Sequence, residues 1–209
     1  MPNAVIEGFN CTLFYDYDCE RHHILNQLSD DGKIEWLECR MRMIFLDPLA
    51  RIYDRDSVAH HELNFPAGGP PMTPMLMTMS LLMNGIEALG SFLTSARGNK
   101  QRFQEFMNRY MVNWTTIVTA PYHGTHPLSD ILWKYYRNGL AHSFAILRAG
   151  IDDVPGAAKY IISDGVLQID GWKFFPDLQQ AFTQMLQDVR AGGAVRTTFL
   201  QRFNDIYQC

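Results

Sequence analysis

The chain lacks any apolar run near the roughly 20 residues that cross a bilayer, so no membrane-spanning helix is expected. Its opening residues, Met1 to Asn10, lack a basic region followed by an apolar core, so no signal peptide is expected either. Cysteine is scarce: Cys11, Cys19, Cys39 and Cys209 are all there is, and none stands at paired metal-ligand spacing. A chain of 209 residues can hold a core without staples, so the expectation is reduced thiols in a cytoplasmic protein. Basic charge is not in excess: 18 Lys and Arg face 22 Asp and Glu, for a net charge of -4. That argues against a general nucleic-acid binder, whose footprint is a basic surface. A local basic pocket stays open, because a small site needs few cations. There is no internal repeat and no low-complexity tract. What remains is globular material, 47% hydrophobic and 19% charged, enough for a sizeable core.

The pattern of apolar residues is mainly helical. Ile34, Leu37, Met41, Ile44 and Phe45 follow helical spacing until Asp47-Pro48 interrupts them and starts a new piece with Leu49, Ile52 and Tyr53. Residues 65–71, with paired glycines and prolines, read as a loop. A second helix is expected from Pro74 to about Ala96, with Met75, Met79, Leu82, Ile86, Leu89 and Leu93 in its stripe. A third, capped by Asn99, carries Phe103, Phe106, Tyr110, Met111, Trp114 and Ile117. Pro121 to Pro127 reads as a turn. Residues 159–169 read as a β-hairpin about Asp164-Gly165, a pair suited to the positive φ angles of a tight turn. A helix from about Pro176 follows, Gly192-Gly193 stops it, and a last helix holds Phe199, Phe203 and Ile206. The expected fold is therefore all-α, a helical bundle with one small inserted hairpin. It forms a single domain over residues 1–209, with 1–72 as an N-terminal helix and irregular extension and 73–209 as the main bundle.

The most specific stretch runs from Leu132 to Phe144. At about 100° per residue, Leu128, Leu132, Tyr136 and Leu140 form an i,i+4 ridge that should pack inward. Lys134, Asn138 and His142 form another such row on roughly the opposite side. Arg137 and His142 are five steps apart and diverge by about 140° on a straight helix. To meet one phosphate, Arg137 must wrap around, the helix must deform near Gly139, or two chains must face each other about a twofold axis. Arginine, an amide and histidine are groups that can cut a phosphodiester without a metal. The arginine fork stabilises developing charge on phosphate. Histidine exchanges a proton near neutral pH.

Arg137-Asn138-Gly139-Leu140-Ala141-His142 resembles the Arg-polar-x-x-x-His signature of the HEPN superfamily (higher eukaryote and prokaryote nucleotide-binding domains). The likeness is sharp over those six residues and covers residues 75 to 190 in organisation. Many members are metal-independent endoribonucleases that act as homodimers in toxin–antitoxin, abortive-infection and other defence systems; others are non-catalytic binding modules. The resemblance implies Arg137, Asn138 and His142 as the catalytic set and attack by a ribose 2′-hydroxyl to leave a cyclic phosphate. It implies no cofactor, and any antitoxin would be a separate protein. Lys134 and Tyr135 are the candidate contacts to RNA or nucleotide, although Lys134 also suits a solvated or dimer-edge face.

The spacing alone is weak, because Arg55 and His60 repeat it where the helical pattern has faded. His60-His61-Glu62 and His123-x-x-His126 invite a metal reading, but neither has partners at a recognised spacing, and no metal site is assigned. Glu87, inside the apolar second helix, is read as a carboxylate facing solvent, with a buried ion pair to Arg137 as the alternative.

Overall fold

Ser29 begins the first long helix by accepting the Gly32 N–H at 3.0 Å, and Asp30 and Asp31 place negative charge in its first turn. In a computed structural model of the chain, the described residues are 5–6, 9–10, 25, 27–54, 75–139, 149–152 and 158–207. Helix α1 spans Asp30–Met41 and α2 spans Asp47–Tyr53. The expected interruption at Asp47-Pro48 is not a break. A π-helical turn, Arg42–Leu46, carries the chain from one helix into the next, with the Asp47 N–H donating to the Arg42 carbonyl. Pro48 has no N–H to give, and a widened turn just before it accommodates both the missing donor and the ring.

Helix α3 spans Met75–Ser91 and α4 spans Asn99–Tyr110. The stripe of α3 is buried as its spacing predicts, at Met79, Leu82, Ile86 and Leu89. The helix stops before Ala96, however, and Phe92 and Leu93 are buried in the turn that follows. Gly98, one residue earlier than expected, caps α4 and is held by the Gln101 side chain at 3.2 Å. Helix α4 also ends early. A 3-10 turn, Val112–Trp114, swings buried Trp114 so that its indole N–H donates to Asp177 at 2.7 Å.

Ile117 therefore lies on a strand, not on the third helix. Strand β3 (Ile117–Ala120) pairs antiparallel with β4 (Gly124–Pro127), so the stretch expected to be a simple turn is half of a hairpin. The hairpin about Asp164-Gly165 forms as expected, from β6 (Tyr160–Ser163) and β7 (Val166–Asp170), with φ of 52° and 78° at the two turn residues. A strand without a sequence signal, β5 (Ala149–Asp152), joins β7 in parallel and makes the sheet order β5-β7-β6. Near the N-terminus β1 (Val5–Ile6) pairs with β2 (Phe9–Asn10). Among the described residues the architecture is mostly helical, with three small sheets rather than one hairpin.

Helix α6 spans Gly171–Ala191, five residues earlier than Pro176, because Asp170 caps it by accepting from the Trp172 and Lys173 N–H groups. It packs on α1, α3 and α4, and α7 (Gly193–Ile206) packs on α1 and α6. One buried cluster joins Leu25, Ile34 and Leu49 to Phe106, Phe182 and Phe203, so the N-terminal helices and the later bundle share a core. No helix among the described residues is long and apolar enough to cross a membrane.

The cysteine expectation needs correction. Cys39 is disulfide-bonded. The other three cysteines, Cys11, Cys19 and Cys209, lie outside the described residues.

Candidate functional site

The motif helix starts where β4 ends. Its first turn, α5, spans Leu128–Ile131, and a π-helical turn, Leu132–Arg137, continues it. The Asn138 N–H donates five residues back, to the Trp133 carbonyl. The helix does deform, but before Arg137 and not near Gly139, so this turn leaves the steps from Arg137 to His142 as they were. Such turns occur often at functional sites. Leu128, Leu132 and Tyr136 are fully buried, as the inward ridge requires. The Tyr136 hydroxyl donates to the Gly150 carbonyl at 2.6 Å, with the Leu167 carbonyl at 3.3 Å. Burial pushes that hydroxyl far above the usual phenol range. The sheet therefore fixes the back of the motif helix.

The opposite side of the helix opens into a groove of about 350 Å³. Trp133, Lys134, Tyr135 and Asn138 line it from the motif helix, with Asp130 and Ile131 from the turn before; Lys100 comes from α4 and His126 from β4. Asp130 accepts from Gln104 at 2.6 Å and pairs with Lys100 at 2.8 Å, so the Lys100 charge is largely neutralised. Lys134 is exposed and has no ion pair among the described residues; its Nζ lies 5.0 Å from the Tyr135 ring centre. Tyr135 is backed by the buried ring of His123, with centroids 4.3 Å apart. The local field of the groove is therefore set mainly by one lysine.

Arg137 takes a different course. Its Nε and Nη2 both donate to Oε2 of Glu87 on α3, at 2.8 and 2.6 Å, and its guanidinium carbon sits 4.9 Å from the Trp133 ring centre. The two charged side chains are only 15% and 16% exposed. Glu87 is therefore an ion-pair partner and not the solvent-facing carboxylate expected. In this partly desolvated setting, removing one partner would strand the other charge.

Of the candidate site residues, Lys134, Tyr135 and Asn138 come together at the groove. Arg137 lies against its Trp133 wall without lining it. His142 is outside the described residues, as are Arg55, His60, His61 and Glu62. The pair His123 and His126 does not converge: one ring is buried under Tyr135 and the other faces the groove. Glu87 meets Arg137 as the alternative reading had it, whereas Lys100 and Asp130 have no sequence signal that puts them at this groove. Each belongs to a helix whose apolar stripe is legible, but which helix faces which has no local signal.

No protein-family model, curated protein or solved structure matches the chain.

Proposed function

We propose that this chain is a HEPN-like module that binds single-stranded RNA or a nucleotide in the groove along its motif helix. The observation that carries the reading is the meeting of Lys134, Asn138 and Tyr135 at one open groove of about 350 Å³. Pockets of roughly 300 Å³ and above accommodate small ligands, so one nucleotide is a reasonable occupant. Lys134 supplies a point charge for a phosphate, and Asn138 offers both a donor and an acceptor. Tyr135 and Trp133 present aromatic surface to a base. The net charge of -4 fits a short local contact better than the coating of a long lattice. In this reading the module works as a homodimer, with the polar side of the motif helix toward the partner copy, and a separate antitoxin or defence partner completes the system.

A second reading is favoured by the π-helical turn that ends at Arg137. It is the metal-independent endoribonuclease, with Arg137, Asn138 and His142 as the working set. His142 would take the proton of a ribose 2′-hydroxyl, and that oxygen would attack the adjacent phosphorus. The 5′-oxygen would leave with a proton, giving a 2′,3′-cyclic phosphate and a 5′-hydroxyl. Arg137 would stabilise the extra negative charge of the transition state.

One experiment separates the readings. Labelled single-stranded oligoribonucleotides are mixed, in chelator, with the wild type, Lys134→Ala and His142→Ala, with sedimentation velocity run in parallel. Binding by a dimer, weakened about tenfold in Lys134→Ala and without turnover, supports the module. Cleavage to cyclic-phosphate ends that His142→Ala abolishes establishes the enzyme instead. A folded protein that neither binds nor cuts varied RNAs rules out both.

A further inference from the structure

We propose that Glu87 governs how much of Arg137 the groove can use, holding the guanidinium against the Trp133 wall until a phosphate competes for it. The inference rests on the groove being a phosphate-binding site.

Two bonds from one edge of the guanidinium, Nε and Nη2, end on a single oxygen of Glu87. A pair this close presents almost no net charge to its surroundings. A phosphate entering the groove therefore meets Lys134 as a full cation, while Lys100 is offset by Asp130 and Arg137 by Glu87. Arg137 is nonetheless near. It touches Trp133, which lines the groove, and it precedes Asn138, which also lines it.

A phosphate can accept from the same guanidinium edge that a carboxylate does, so the exchange needs no new type of contact. Until it occurs, the site is selective. A weakly held anion cannot displace Glu87, whereas a phosphodiester already anchored by Lys134 and stacked on an aromatic ring can. Placement of Glu87 on α3 matters here. Because α3 packs against the motif helix, the carboxylate is held by the bundle and stays put when Arg137 swings away. Glu87 is therefore a positioning residue that acts through Arg137 and makes no ligand contact itself.

The test measures affinity for a fluorescein-labelled single-stranded oligoribonucleotide across a salt series. It uses the wild type, Glu87→Gln, Glu87→Gln with Arg137→Gln, Lys134→Ala, and Glu105→Gln as a control. Glu105 pairs with Arg109 on the exposed side of α4. Freeing Arg137 should tighten binding about tenfold at low salt and steepen the salt dependence by about 0.7 in log–log slope, the signature of one more phosphate contact. The gain should vanish in the double variant, and Glu105→Gln should bind within about twofold of the wild type. Should Glu87→Gln unfold, Glu87→Asp, which withdraws the carboxylate by one methylene, should give a smaller gain of the same sign.

A folded Glu87→Gln with unchanged affinity and slope would overturn the proposal while leaving the groove intact, provided Lys134→Ala still weakens binding. An equal gain in Glu105→Gln or in the double variant would also overturn it, because the effect would then be one of overall charge. If neither the wild type nor Glu87→Gln binds, the groove reading and this proposal fall together.

Discussion

Single side chains tie the helices together at a few points where charge has been drawn partly out of water. Glu38 on α1 accepts from Arg190 on α6 and from Arg42 one turn along its own helix. Burial raises its pKa, but the hydrogen bonds from the two arginines outweigh that and hold the carboxyl below its ordinary value of 4.5. A group with a depressed folded-state pKa lends stability above its unfolded value and loses it as pH falls through the folded one. Glu38→Gln should therefore be less stable than the wild type at pH 7. The gap should narrow below about pH 4.5 and close under strong acid, as read by urea denaturation at a series of pH values. A gap that persists at the acid end would show that Glu38 acts through shape and not charge. Arg137 and Glu87 form the counterpart at the groove, with both side chains more deeply buried and the partners drawn from helices fifty residues apart. No reading of either helix alone predicts that meeting, because each residue interrupts its own apolar pattern in a way that solvent exposure explains equally well.

Among the elements, those that local chemistry determines were legible and those that depend on distant packing were not. The Asp164-Gly165 hairpin follows from the backbone angles that such a pair tolerates. The stripes of α3 and α6 follow from spacing. The β3–β4 hairpin was hidden because Trp114 and Ile117 extend the helical period of α4, although the chain has already left the helix at Tyr110. Strand β5 pairs in parallel with residues 18 positions away and owes its existence to that partner. Neither π-helical turn carries a residue signature, since a five-residue hydrogen bond uses only backbone groups. In the motif helix the widened turn lies over Leu132–Arg137, ahead of the five steps that separate Arg137 from His142. Close approach of backbones was equally unreadable. A Cβ built on Gly90 of α3 would lie 1.9 Å from the Arg102 carbonyl oxygen of α4. Gly90→Ala should therefore force the two helices apart and cost about 3 kcal/mol or more in chemical denaturation, although alanine is the better helix former. A neutral or stabilising result would mean that the α3–α4 contact gives way easily.

On the scale of the whole molecule, one core is shared and Cys39 is cross-linked. Length and composition announced a core of useful size, and one cluster does run from the N-terminal helices to α7. Composition also led to the expectation of free thiols, which fails at Cys39. Spacing in the sequence cannot reveal which cysteines meet when the fold decides it. Reduction should raise the titratable thiols by at least two and lower stability by about 3 kcal/mol, read as a lower melting temperature in reductant. Four thiols before any reductant is added would contradict the bond. Such a cross-link is characteristic of oxidising surroundings.

Of the four tryptophans, Trp36 and Trp114 are buried in the core, whereas Trp133 and Trp172 stand partly open, and Trp133 has the Arg137 guanidinium across its ring at the groove wall. The molecule thus contains its own optical gauge. Any occupant that draws the cation off that indole alters the electric field on the chromophore, so emission colour and quenching follow events at the wall without an attached dye.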